Sequence, residues 1–225
     1  MFKSCKSQVR RSNEYVMLCV CAFVATYSAE DARTEEFSRD VVVHTKQATA
    51  QLIVDGNVVL GTAVCIDPSG LFLTTWDSLQ QQGDRPLQLC PYVRLGEAPR
   101  FDASVVHSDS QRNLILLQAQ SAARFVHLEI ETRPSIDPAN ELLASFSFPI
   151  QQASPIEASV ATMTLDQSEQ ATKERIRIKE VLFPKGAPII NRQGKLVGIG
   201  LGVRPKRSRD SYGISSNTIL EFVQK

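Results

Sequence analysis

From Val42 onward, short apolar runs rich in β-branched residues alternate with groups of turn-forming residues. Such runs predict β-strands, and Asp55-Gly56 predicts a tight hairpin because glycine adopts positive φ freely. The first set of predicted strands comprises Thr49–Val54, Asn57–Ile66, Leu71–Trp76, Leu87–Leu95, Phe101–His107 and Asn113–Gln118. The second set comprises Phe125–Thr132, Glu141–Phe148, Ile156–Leu165, Lys173–Val181, Ala187–Asn191, Lys195–Val203 and Tyr212–Ser215. This pattern predicts an all-β chain, a sandwich or a barrel.

Helical patterns are short. The tail Asn217–Val223 is typical of a helix, with Ser216 or Asn217 as its N-cap. Ser78–Gln82 is a second short helical candidate. No long helical period precedes the tail, so the all-β class stands.

The first 29 residues have the order of a secretory signal peptide: a basic leader, the apolar run Tyr15–Tyr27, and then small residues before Glu30. We expect export to the periplasm or the extracellular space, with no membrane span in the mature chain. An uncleaved segment that anchors the chain to a membrane is the alternative, although the run is short for a bilayer span. Residues 30–41 are charged and polar and are predicted to form a flexible lead-in.

Composition and charge exclude several classes of function. The net charge is +1, which gives no indication of a nucleic-acid partner. No Cys/His spacing predicts a metal site, and we expect no cofactor. Outside the leader the chain has two cysteines, Cys65 and Cys90, which either pair in an oxidising compartment or remain buried thiols within strands.

Three segments, in order and in register, resemble the trypsin-like serine proteases, and most closely their HtrA (DegP-like) branch. Gly61–Leu79 is similar to the segment around the family's histidine, and Ala103–Leu117 to that around its aspartate. Val181–Asn217 is similar to the nucleophile hairpin and the strand that follows it. The resemblance implies two packed six-stranded β-barrels, about residues 42–120 and 121–225, within a domain of residues 42–225. No PDZ domain is expected to follow.

The resemblance also assigns the catalytic positions, and all three differ from the family. The histidine position is Asp77, the position of the aspartate that orients it is Asn113, and the nucleophile position is Lys185. The reaction requires a base, a carboxylate that stabilises this base, and an attacking hydroxyl. A carboxylate is a poor base near neutral pH. We expected Asp77 and Lys185 either to form an ion pair or to point separately into water.

Further residues are candidates for the cleft that the family places between its two barrels. Phe183 and Pro184 stand where the family has oxyanion-hole residues, and Trp76 precedes Asp77. A basic loop is expected to border the pocket, where it either contacts an anionic partner or is simply solvated. The basic side chains of this loop are Arg204, Lys206, Arg207 and Arg209.

These observations favour a catalytically inactive trypsin-like homologue that acts as an exported peptide- or protein-binding module. The alternative is an active serine-type endopeptidase or an atypical hydrolase of the same superfamily. The sequence identifies neither the partner nor the oligomeric state.

Overall fold

The computed structural model describes residues 37–56, 58–80, 82–92, 98–132, 142–148, 159–164, 175–178, 184–202 and 211–224. The predicted signal peptide therefore lies outside the described residues. Within them, no helix is both long and apolar enough to cross a membrane.

The first set of strands closes into a barrel in the order β1-β2-β3-β6-β5-β4. These strands are β1 (Thr49–Val54), β2 (Val58–Asp67), β3 (Leu71–Thr75), β4 (Leu87–Pro91), β5 (Phe101–Asp109) and β6 (Leu114–Ala119). Alternate residues such as Ala50, Leu52 and Leu117 fill its interior. The six strands predicted from the apolar runs are confirmed, with ends that shift by a few residues.

The second set forms a six-stranded sheet in the order β8-β7-β10-β11-β12-β9. Its strands are β7 (Leu142–Ser147), β8 (Ser159–Thr164), β9 (Arg175–Ile178), β10 (Pro188–Ile190), β11 (Leu196–Gly200) and β12 (Ser211–Ser215). A shared apolar cluster joins the outer side of the barrel, through residues such as Leu73 and Leu116, to Phe146 and Ile199 of this sheet. The predicted all-β class is confirmed.

Two helices flank the strands at the ends of the domain. Helix α1 spans Arg39–Gln47, and helix α3 spans Ser216–Val223. The flexible lead-in predicted for residues 30–41 is wrong where it overlaps α1, since Ser38 caps this helix by accepting from the N–H of Val41 (3.3 Å). The N-cap of α3 is Ser215 and not Ser216 or Asn217, because the Ser215 hydroxyl accepts from the N–H of Thr218 (3.5 Å).

The predicted strand Phe125–Thr132 is also wrong, because this segment is an extended connection from the barrel to the second sheet. Its backbone donates from Leu128 to Cys65 in the barrel (2.9 Å) and from Glu131 to Leu196 in the sheet (2.8 Å). It has one isolated bridge, Ile130 with Leu196. The apolar residues that led to the strand prediction are instead the residues through which the connection is buried. Leu128, for example, is only 1% exposed.

Candidate functional site

A four-residue helix, α2 (Trp76–Leu79), follows β3 and carries Asp77. The sequence placed a helix slightly later, at Ser78–Gln82. The Trp76 N–H donates to the backbone oxygen of Asn113 (3.1 Å), which ties the start of α2 to the turn before β6. The hydroxyl of Thr75, which immediately precedes the helix, shares a buried hydrogen bond of 2.7 Å with that of Ser78 inside it. Asp77 is therefore held on a short, well-anchored element.

Asp77 and Asn113 are joined by two hydrogen bonds. The Asp77 N–H donates to Asn113 Oδ1 (2.8 Å), and Asn113 Nδ2 donates to Asp77 Oδ2 (3.0 Å). Asn113 has a φ of 60°, in the left-handed region that asparagine tolerates better than most residues. The two residues that the resemblance assigns to the histidine and aspartate positions are therefore in contact. In a catalytic triad the histidine side chain donates to a carboxylate, whereas here the Asn113 side chain donates and the Asp77 side chain is the carboxylate.

The other carboxylate oxygen of Asp77 also has a neutral partner. Gln80 Nε2 donates to Asp77 Oδ1 (3.1 Å), from three residues further along the chain. The sequence analysis placed Gln80 in a short helical candidate but not at the site; its spacing of three from Asp77 was the available signal. Both oxygens of the carboxylate thus accept hydrogen bonds from side-chain amides.

Lys185 lies in a tight turn that contacts the barrel. The Thr62 N–H donates to the Lys185 oxygen (3.0 Å), and the Gly186 N–H donates to the Gly200 oxygen (2.9 Å). Gly186 has a φ of 76°, and a Cβ there would overlap the carbonyl oxygen of Thr62. The aliphatic part of Lys185 packs over Gly202, where a Cβ would lie 2.6 Å from Lys185 Cγ. The turn requires glycine at both positions because the chains approach so closely.

The expected ion pair between Asp77 and Lys185 is wrong. Within the described residues, no nitrogen–oxygen distance of 4.0 Å or less joins their charged groups. The physical reason is local: Asn113 and Gln80 already occupy the carboxylate, while the Lys185 side chain packs over Gly202. The family's histidine and serine positions therefore do not contact each other through their charged atoms in this chain.

The remaining predicted residues divide into two groups. Trp76, a candidate for the cleft, is half-buried and packs against the interior cluster of the barrel. Phe183, Arg204, Lys206, Arg207 and Arg209 lie outside the described residues. For these five the assignment remains a prediction.

A separate open cleft of about 520 Å³ lies between α1, the connection and the β10–β11 turn. His44 Nε2 donates to the His127 oxygen there (2.9 Å), and Lys195 pairs with Glu129 (3.4 Å). Within the described part of the chain, no group of three or more His, Cys, Asp or Glu residues could hold a metal ion. The His44 side chain thus joins helix α1 to the connection, two elements far apart in the sequence.

Cys65 and Cys90 are free and buried, so the buried-thiol alternative applies. Burial raises the pKa of Cys65 to about 12 and raises that of Cys90, which keeps both thiols protonated near neutral pH. Neither cysteine has the lowered pKa that a reactive nucleophile requires.

Comparisons with known proteins agree with this architecture. The model of the family described as "Trypsin-like peptidase domain" matches residues 61–199. A curated relative is the "Probable membrane transporter protein MamO" of Magnetospirillum gryphiswaldense, 21% identical over 170 residues. That match covers 73% of this chain but only 26% of the relative, so the chain spans about a quarter of the relative's length.

Among solved structures, the crystal structure of the MamO protease domain from Magnetospirillum magneticum, in its apo form, is similar with a TM-score of 0.65. The match covers 81% of this chain and 98% of that domain at 18% identity, which shows a shared fold.

Proposed function

Because this chain belongs to the trypsin-like peptidase family, we propose that it is a catalytically inactive member that binds a peptide or protein in the cleft retained between its barrel and its second sheet. The observation that carries the proposal is the pair of hydrogen bonds between Asp77 and Asn113. These bonds hold Asp77 and Asn113, at the proposed histidine and aspartate positions, in a stable arrangement without an imidazole. The assignment to the HtrA branch is part of the proposal and rests on the sequence resemblance.

The chemistry at these positions does not support acyl transfer. The carboxylate of Asp77 accepts hydrogen bonds on both oxygens, from Gln80 and Asn113. An asparagine cannot provide the negative charge that stabilises a protonated base, and position 185 has no hydroxyl to attack a carbonyl carbon. A hydrolase would need each of these three roles filled by another residue.

The nearest hydroxyls do not fill the role of the nucleophile. Ser78 is adjacent to Asp77 and only 3% exposed, and its Oγ shares a hydrogen bond with Thr75 Oγ1. The Ser78 side chain also packs closely against Gly61, because a Cβ added to that glycine would lie 3.1 Å from Ser78 Oγ. A substrate carbonyl has no approach to a hydroxyl buried in this way.

The second candidate function is an active serine-type endopeptidase or an atypical hydrolase, and the family described as a peptidase domain favours it. The two functions separate cleanly in one assay. Purified chain is incubated with unfolded casein and with a fluorophosphonate probe, next to Lys185→Ala. We expect neither labelling nor cleavage. Activity that is lost in Lys185→Ala would overturn the proposal in favour of an enzyme.

Binding needs its own measurement. Trp76 is the sole tryptophan of the chain and precedes Asp77, so its fluorescence reports on the site directly. We expect a saturable change when unfolded casein fragments are titrated, weakened in Lys185→Glu and unchanged in Lys195→Glu, whose lysine lies in the other cleft. A flat titration, or equal loss in both variants, would contradict binding at the retained site.

We also propose that the chain is exported through residues 1–29, with membrane anchoring as the alternative. The relative that is named a probable membrane transporter protein makes a membrane association worth testing. N-terminal sequencing of the mature chain after cell fractionation separates the two. A new terminus near residue 30 in the soluble fraction supports export, and an intact leader in the membrane fraction supports anchoring.

A further inference from the structure

A row of buried side chains crosses three neighbouring strands of the first barrel. Gln51 on β1 is directly opposite Cys90 on β4 and directly opposite Thr62 on β2. Opposite residues in antiparallel strands share a face, with Cβ atoms about 4.5–5.5 Å apart. Their neighbours Leu52, Leu89 and Ala63 belong to the interior cluster of the barrel, so the row lies on the outer face.

The row is closed to solvent and carries no charge. Cys90 is 5% exposed, Gln51 is 1% exposed and Thr62 is fully buried. Within the described residues, neither amide atom of Gln51 has a hydrogen-bond partner, and neither does Thr62 Oγ1. The row therefore presents two amide donors, an amide oxygen and a hydroxyl that protein atoms leave unsatisfied, with the protonated thiol of Cys90 directly beside them.

Segments of the second unit flank this row on both sides. On the Thr62 side, the Lys185 turn approaches, with the Thr62 N–H donating to the Lys185 oxygen. On the Cys90 side, the next aromatic residue, Tyr92, contacts the buried ring of Phe148, which follows β7, with centroids 6.5 Å apart. The row thus lies at the boundary between the barrel and the second sheet.

Unsatisfied buried polar groups are rare, because each retains the desolvation penalty that its missing hydrogen bond would offset. Three such atoms, Nε2 and Oε1 of Gln51 and Oγ1 of Thr62, lie on two directly opposite residues, which indicates one shared partner. The partner must be small, uncharged, and able both to donate and to accept, since the row is closed, has no ionised group, and offers both kinds of atom. We propose that the row of Cys90, Gln51 and Thr62 binds ordered internal water at the boundary between the barrel and the second sheet.

The stability of apolar variants tests this site. In a hydrated row, Thr62→Val and Gln51→Leu each remove hydrogen bonds to water, so the urea midpoint falls. In a dry row, the same changes remove unsatisfied groups, and the midpoint rises. Thr74→Val is the matched control, because Thr74 is buried on β3 and its hydroxyl donates to the Thr62 oxygen (2.8 Å), so its loss lowers the midpoint in either case.

The expected result is that all three variants have lower midpoints than the native chain. A rise in Thr62→Val and Gln51→Leu, together with a fall in Thr74→Val, would overturn the proposal. A high-resolution crystal structure of the unsubstituted chain provides a test that does not depend on any variant folding. We expect a density peak about 2.7–3.2 Å from the Gln51 amide and from Thr62 Oγ1; an empty row, or a Gln51 amide bonded only to protein atoms, would reject the site.

Discussion

The first barrel carries two polar groups of residues that meet their hydrogen-bonding needs in opposite ways. The site cluster, Asp77, Gln80 and Asn113, is half-buried to exposed, and its side chains bond to one another. The buried row, Gln51, Thr62 and Cys90, is almost inaccessible, and the Gln51 amide and the Thr62 hydroxyl have no partner among the described protein atoms.

The difference between the two groups predicts which kind of substitution affects each of them. In the site cluster, the carboxylate of Asp77 is matched by the amide donor of Asn113, so each side chain fits the other. In the buried row, the Gln51 amide and the Thr62 hydroxyl depend on a partner that the protein itself does not supply. We therefore expect the site cluster to respond to changes of charge, and the buried row to changes of polarity. The Lys185 turn contacts the buried row through Thr62.

Gly186→Ala should have the largest effect, because it disturbs the turn that contacts the buried row and sets a Cβ against the barrel backbone. A Cβ at a φ of 76° would overlap the Thr62 carbonyl oxygen, so we expect a loss of about 3 kcal/mol in the free energy of unfolding. Gly83→Ala is the control, since Gly83 also has positive φ (59°) but no atom within 4 Å of an added Cβ. Equal losses in the two variants, measured by urea unfolding, would show that backbone strain and not the contact with Thr62 is responsible.

Asn113→Asp should have the next largest effect. It removes the donor to Asp77 and sets two carboxylates against each other, which we expect to cost about 2 kcal/mol in the free energy of unfolding. Adding Asp77→His should recover part of this loss, because an imidazole N–H can donate to the new carboxylate. A double-mutant cycle in urea measures the coupling. Additive effects would mean that the two positions do not interact energetically.

Gln80→Ala should have a smaller effect. Gln80 is exposed, so water can replace its hydrogen bond to Asp77, and we expect a loss below about 0.5 kcal/mol in the free energy of unfolding. A loss as large as that in Asn113→Asp would show that the site cluster behaves as a buried network, like the row, and would remove the distinction between them.

The smallest effect concerns Asp109, an acidic residue outside both groups. The backbone N–H of Arg112 and then its guanidinium hold the pKa of Asp109 below its ordinary value. A lowered folded-state pKa contributes stability above the unfolded pKa, and this contribution is lost as the pH falls through the folded pKa. Asp109→Asn should therefore reduce stability slightly near pH 7 and flatten its decline below about pH 4. Urea midpoints between pH 3 and pH 7 test this, and identical acid limbs would contradict it.

Patterns that are local along the chain were predicted correctly. The six strands of the barrel follow from short apolar runs bounded by turns, because each run lies within one short stretch of sequence and every strand except the largely exposed β5 has mostly buried residues. The same pattern misled at Phe125–Thr132, where apolar residues bury a connection between two units. The charged and polar composition of residues 30–41 misled in a different way, because it predicted a flexible lead-in where helix α1 begins at Arg39 with Ser38 as its N-cap. At the connection, tertiary packing outweighed local propensity.

The sequence by itself predicted which residues stand at the three catalytic positions, because the motifs that resemble the family around them are contiguous. Only the tertiary structure decided how those residues behave. Asp77 and Asn113 are far apart in sequence and bond through their side chains, while Lys185 packs over Gly202 instead of pairing with Asp77. The buried row is likewise visible only in three dimensions, since strand register, which no single segment encodes, aligns Cys90, Gln51 and Thr62. The fold sets the distances between side chains, and these distances decide which side chains form hydrogen bonds with each other.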